Sequence, residues 1–173
     1  MSGRAVLVCG VICGEGRERA AARALLALVL RRELGIDPLP RMERAPGGKP
    51  FFPDLPQVRF SLSHSHGAAV CAVHDREVGV DVELLRPAPR RLGAGMTDEE
   101  FFRLWTAREA TAKRAGRGLE FLLGPEGPDA ACRRLDDLLP GYLVAVCPAE
   151  AGVHVRAARI VPAELAEVQN ERL

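Results

Sequence analysis

The chain has 173 residues, with 24 basic and 23 acidic side chains and a formal net charge of +1. That length makes one domain, or two small lobes on one core, and buries roughly 70% of the unfolded surface without staples. The even charge balance argues against a general nucleic-acid binder, and no apolar run approaches the ~18 residues that span a membrane. The five cysteines are an odd number with no paired spacing, so they read as reduced thiols of a cytoplasmic protein. The apolar start at 5–13 is short and runs into Gly14-Glu15-Gly16-Arg17, which does not read as an export signal. Of the basic residues, 22 are Arg and two are Lys, Lys49 and Lys113. In a chain so biased toward Arg, a lysine either marks a place where a compact ammonium is wanted or is one of too few to carry meaning.

Residues 4–12 read as a strand of Val, Leu and Ile. Residues 17–34 read as an amphipathic helix, with Ala22, Leu26 and Leu30 on one face and Arg19, Arg23 and Arg31 on another, ended by Gly35. Residues 38–57 are rich in Pro, Gly and Arg and form a loop around Gly47-Gly48-Lys49-Pro50. Strands are expected at 58–62, 68–74 and 78–84, the first two separated by Ser63-His64-Ser65-His66-Gly67. A linker at 86–96 divides the chain into lobes 1–85 and 86–173. Thr97 and Glu100 spell a capping box, so a helix starts at Thr97 and runs, or breaks briefly, to about Ala115. Residues 119–139 are irregular. A pair of strands at 142–147 and 153–161 and a short helix after Pro162 complete the order. The fold class is α+β, a crude duplication of one small antiparallel sheet packed with a long helix.

Two segments carry the chemistry. In Val78-Gly79-Val80-Asp81-Val82-Glu83 the valines point to one face, and Gly79, Asp81 and Glu83 to the other. Two carboxylates roughly 6–7 Å apart on one face suit oxygen ligation of a hard cation such as Mg²⁺. Taken alone, such a pair is more often an ordinary solvent-facing strand edge. On the second helix Trp105, Glu109 and Lys113 share a face at i, i+4 and i+8, which alone is a routine surface ion pair beside a core Trp. Hydroxyls and histidines at 63–66 suit a phosphate pocket or a polar turn. Gly10–Gly16 lacks the Gly-Lys-Ser/Thr of a P-loop, Cys9 and Cys13 lack a second metal-binding pair, and no Gly-x-Ser-x-Gly elbow is present.

In order, these segments resemble the 4′-phosphopantetheinyl transferases, in particular the larger single-chain, pseudo-duplicated class. Gly48-Lys49-Pro50-Phe51 looks like that family's Gly-Lys-Pro-aromatic loop, and Phe60-Ser61-Leu62-Ser63-His64-Ser65 looks like its Ser-His-Ser block. Gly79–Glu83 looks like its Gly-Val-Asp-Val-Glu strand. Trp105 to Lys113, with Gly116-Arg117-Gly118-Leu119 after it, looks like its Trp-x-x-Lys-Glu-Ala-x-x-Lys…Gly-x-Gly-Leu helix. The resemblance implies a monomer whose Asp81, Glu83 and Glu109 hold Mg²⁺ against the pyrophosphate of coenzyme A. Lys49, Ser63 and His64 grip the nucleotide phosphates, with Arg44 and Arg19. A serine of an acyl or peptidyl carrier protein attacks the β-phosphate, Glu109 and Glu100 assist deprotonation, Lys113 stabilises the transferred phosphate, and 3′,5′-ADP leaves.

The sequence also departs from that pattern. A strand of about nine residues leads straight into the first helix, where the family carries a longer N-terminal segment. Only Phe101-Phe102-Arg103-Leu104 separates Glu100 from Trp105, where the family inserts more chain, and the Lys before Glu-Ala is Arg108. These shortenings motivate a second expectation: a non-catalytic member that binds coenzyme A or a carrier protein. A third, an unrelated metal-dependent phosphohydrolase, lacks a reason for the Gly-Lys-Pro and Ser-His-Ser blocks.

Overall fold

The computed structural model describes residues 5–89, 91–93, 95–118, 122, 124 and 127–170, with side chains to 166. Arg90 and Ala94 of the linker, Leu119 of the last sequence block and several residues of the irregular 119–126 stretch lie outside the described residues. The elements run β1 (Val6–Ile12), α1 (Glu18–Leu34), β2 (Glu43–Arg44), β3 (Pro50–Phe51), β4 (Arg59–Ser65), β5 (Ala68–His74), β6 (Val78–Leu84), α2 (Asp98–Ala115), β7 (Arg133–Arg134), β8 (Tyr142–Pro148), β9 (Val155–Arg159) and α3 (Pro162–Asn170).

Two sheets are sandwiched between two helices. The first has the order β4-β5-β1-β9 and the second β6-β8-β7, with β2 and β3 forming a separate ribbon. Alternation along each strand builds the layers. Leu7, Cys9, Val11, Ala69, Cys71 and Val73 face α1, while Val6, Val8, Ala68, Val70 and Ala72 face Val78, Val80, Val82, Val144 and Val146 of the second sheet. The far face of that sheet receives α2, through Ala110 against Ala145 and Cys147.

The α+β class expected from sequence is present, with differences in detail. The first sheet is mixed rather than antiparallel, because β9 pairs parallel to β1 from Val6↔Val155 to Gly10↔Arg159. The stretches read as a pair of strands are therefore not partners: β8 pairs with β6 and β7. Helix α1 is less two-faced than its pattern predicts. Residues 24–30 are all buried, because the helix lies between the first sheet and α3, against Ile160 and Leu165. Strand β4 runs through the Ser-His-Ser block that sequence assigned to a connection, and the chain turns at His66 and Gly67 with φ of 42° and 81°. The capping box forms as predicted, and α2 runs without a break to Gly116 at φ 66°.

Candidate active site

The site lies where β4, β6 and α2 meet. Strand β4 alternates Phe60 and Leu62, which join the α1 core, with Ser61, Ser63 and Ser65. These three hydroxyls form rungs to β6. Ser61 Oγ accepts the Val80 amide at 3.1 Å, Ser63 Oγ donates to Asp81 Oδ1 at 2.7 Å, and Ser65 Oγ donates to Glu83 Oε2 at 2.8 Å. The edges of the two sheets are thus joined by side chains. Period-two serines were the signal of this ladder, and only Ser63 was named from sequence as a binding residue.

Helix α2 closes over the rungs. Lys113 Nζ donates to Asp81 Oδ1 at 2.6 Å and to Ser63 Oγ at 2.8 Å, and stands 3.8 Å from Glu109 Oε2. Asp81 is 3% exposed, so the solvent-edge reading of its strand does not hold. Its Oδ2 is buried with no hydrogen-bond partner among the described residues. Burial pushes the Asp81 carboxyl up, against the pull of the Lys113 ammonium and the Ser63 hydroxyl. Burial, then the neighbouring Asp81 charge, pushes Glu109 up as well, with Lys113 opposing.

Two glycines permit the closure. A Cβ on Gly79 would stand 1.9 Å from the Ala110 carbonyl oxygen and 2.5 Å from the Arg114 nitrogen. A Cβ on Gly47 would stand 2.0 Å from the Gly116 oxygen. Gly79 thus leaves room for the α2 backbone. Lys49 ties the same contact. Its ammonium donates to Glu77 at 2.5 Å, to the Val78 carbonyl at 3.1 Å and to the Arg114 carbonyl at 2.9 Å, at the last turn of α2. A cation at a helix C-terminus is favoured by the helix dipole.

The remaining sequence candidates fall in different places. Glu83 is half-buried and also accepts from Arg86 at 3.1 Å, whose guanidinium lies 4.6 Å from the Phe102 ring centre. Arg44 is exposed and donates to the Gly48 carbonyl at 2.8 Å. It shares a pocket of about 240 Å³ with Lys49, Ser61, Lys113 and Arg117, the last not foreseen from sequence. His64 is exposed at the end of β4, and Arg19 is exposed in the first turn of α1. Arg108 donates to the Gly124 carbonyl. Glu100 is not brought to the cluster. Its carboxylate accepts the Thr97 amide and hydroxyl at 2.8 and 2.9 Å, nine residues and ~13 Å of helix away from Glu109.

No group of three His, Cys, Asp or Glu side chains among the described residues is disposed to hold a metal ion. Asp81 and Glu109 share Lys113, whereas Glu83 is engaged with Ser65 and Arg86. The chemistry of the set nevertheless fits a hard divalent cation: three carboxylates, one with a buried oxygen that lacks a partner.

No protein-family model matches the chain. Among curated proteins it is 30% identical to the 4′-phosphopantetheinyl transferase psf-1 of Bacillus pumilus, over 73% of this chain and 71% of that one. It is 31% identical to a 4′-phosphopantetheinyl transferase of Bacillus subtilis, over 59% of this chain and 60% of the relative. It is 34% identical to the 4′-phosphopantetheinyl transferase HetI of Nostoc, over 60% and 53%. The chain thus spans about 60% or less of the length of these last two. The family motifs read along the sequence and the extent of the psf-1 match lead to one assignment: the chain belongs to the 4′-phosphopantetheinyl transferase family.

Proposed function

We propose that this chain transfers the 4′-phosphopantetheine group of coenzyme A to a serine hydroxyl of an acyl or peptidyl carrier protein, releasing 3′,5′-ADP. The observation that carries the reading is the Ser63–Asp81–Lys113 triangle, with Glu109 beside it and the buried Asp81 Oδ2 unpartnered among the described residues. In this reading the protein acts in the cytoplasm as a monomer. Its halves 1–85 and 86–173 are two pseudo-duplicated lobes of one functional unit. Each half supplies one long helix, though the halves exchange a strand, β6 lying in the second sheet and β9 in the first, and the site draws Ser63 and Asp81 from one half and Glu109 and Lys113 from the other.

Asp81, Glu83 and Glu109 are the residues that would hold Mg²⁺. When bound, the ion supplies charge neutralisation at the pyrophosphate and so favours departure of the nucleotide. The chain's own groups do the rest. Lys113 moves from Asp81 to the phosphate under transfer and stabilises the charge that develops there. Glu109, half-buried beside it, takes the proton of the attacking carrier serine. Arg44, Lys49, Ser61 and Arg117 line the pocket that receives the nucleotide phosphates, with Ser63, His64 and Arg19 as further contacts. Lys49 acts mainly by fixing the end of α2 against β6. Glu100 keeps its cap and takes no proton.

The test mixes the protein with Mg²⁺, coenzyme A and several apo carrier proteins, and reads the carriers by mass spectrometry. The expected result is one added phosphopantetheine on the carrier serine. Binding of coenzyme A with no carrier modified replaces this reading with the non-catalytic one.

A further inference from the structure

Beneath α2, on the side away from the carboxylates, lies a pair of thiols that the transfer chemistry does not use. Strand β7 pairs antiparallel with β8, Arg133 opposite Val146 and Arg134 opposite Ala145. Continued by one residue, that register sets Cys132 opposite Cys147. Directly opposed residues of an antiparallel pair have Cα atoms about 4.5–5.5 Å apart, inside the ~4.4–6.8 Å that a disulfide spans. The side chains converge as well. Cys132 Sγ lies 3.2 Å from Thr111 Oγ1 and Cys147 Sγ lies 3.8 Å from the same atom. Cys132 is half-buried, while Cys147 is enclosed between the sheet and Ala110.

We propose that Cys132 and Cys147 are a reversible disulfide site, closed by exchange with a small-molecule disulfide such as oxidised glutathione. Cys132, the accessible thiol, attacks one sulfur of the reagent. A mixed disulfide forms, the reagent's S–S bond breaks, and the first glutathione leaves as thiolate and is protonated. Cys147 then attacks Cys132 Sγ, the Cys132–S–S–Cys147 bond forms, and the second glutathione leaves. Two protein thiols are oxidised and one reagent disulfide is reduced to two thiols. The contact between the sulfurs lowers the Cys147 thiol and raises that of Cys132, so Cys132 passes its proton across that contact to Cys147 as it attacks, the proton goes on to the departing glutathione thiolate, and Cys147 resolves the mixed disulfide. A second opposed pair, Cys9 and Cys71 across β1 and β5, is the internal comparison. Burial pushes the Cys9 thiol up to about 11 and raises Cys71 in the α1 core, so neither thiol of that pair is lowered as Cys147 is.

The proposal does not rest on the transferase reading, because it is read by mass. The native full chain is incubated with oxidised glutathione, denatured, alkylated and digested with trypsin. The expected product is peptide 118–133 joined to peptide 135–156, lighter by two hydrogens than the two thiol peptides together. Cys9, Cys13 and Cys71 are recovered alkylated, and dithiothreitol reverses the link. In Cys147→Ser, glutathione is retained on Cys132. The proposal is overturned if wild-type Cys132 and Cys147 are recovered alkylated, if glutathione persists on wild-type Cys132, or if the link involves another cysteine.

Discussion

Gly79→Ala tests whether the approach of α2 to β6 sets the site. The added Cβ would stand 1.9 Å from the Ala110 oxygen and 2.5 Å from the Arg114 nitrogen, both main-chain atoms that no rotamer change can remove. Ordinary contact begins near 3.4 Å, so the helix must withdraw by about 1.5 Å. The Lys113–Asp81 bond, 2.6 Å long, would then open to ~4 Å, beyond hydrogen-bond reach. Overpacking of this kind costs about 1–3 kcal/mol, and loss of the charged hydrogen bond roughly 1–2 kcal/mol more. A fold of ordinary stability, ~5–15 kcal/mol, survives that. Urea unfolding followed through Trp105 should show a loss of about 2–5 kcal/mol, and phosphopantetheine transfer should fall ~100-fold, the scale of a 1 Å misplacement. Gly118→Ala is the control, because its Cβ meets nothing within 4 Å. A Gly79→Ala protein with wild-type stability and transfer would refute the reasoning.

Three further outcomes follow from the same geometry. Asp81→Asn removes the partner of the Lys113 ammonium and transfer should be lost. The lost ion pair is opposed by relief of a carboxylate whose pKa burial already holds up, and with Lys113 partly exposed stability should fall by no more than about 1 kcal/mol. Adding Lys113→Met should restore part of the stability and none of the activity; a double variant as unstable as the sum would show that the pair is not coupled. Glu109→Gln should be inactive yet more stable than wild type at neutral pH. The folded-state pKa of Glu109 is raised, first by burial and then by Asp81, so its contribution is fully present below the ordinary carboxylate range and is lost as pH rises through the raised value. Unfolding free energies across that window should decline less steeply in Glu109→Gln, and identical profiles would remove burial as the cause. Glu100→Ala should lower the melting temperature slightly through the lost cap and leave the transfer rate unchanged; a large drop in rate would restore Glu100 to the chemistry.

Local patterns in the sequence carried most of the element positions. The valine alternation of β6 put Asp81 and Glu83 on one face, and Thr97 with Glu100 fixed the start of α2. Long-range placement was not legible. Nothing local in 155–159 says that this strand lies parallel beside β1 rather than beside β8, because that choice depends on which edge the sandwich leaves open. The site divides in the same way. Asp81, Glu109, Lys113 and Ser63 were visible as motif residues, and they do meet. The task of Lys49 was not visible, since its partners are two main-chain carbonyls and Glu77, and carbonyl partners have no residue signature. The glycine at 79 could be read as room, but whose backbone fills that room depends on tertiary contact.

The parallel pairing of β1 with β9 has a consequence for how the protein is made. Strand β1 is synthesised long before its partner at Val155–Arg159. Until then one edge of the first sheet, carrying Val6, Leu7 and Val8, is an open template for pairing with another chain. Contacts of such sequence separation also slow folding. Nascent chains halted before residue 155 are therefore the species most in need of a chaperone, and emergence of Val155–Arg159 is the step that covers the open edge of β1.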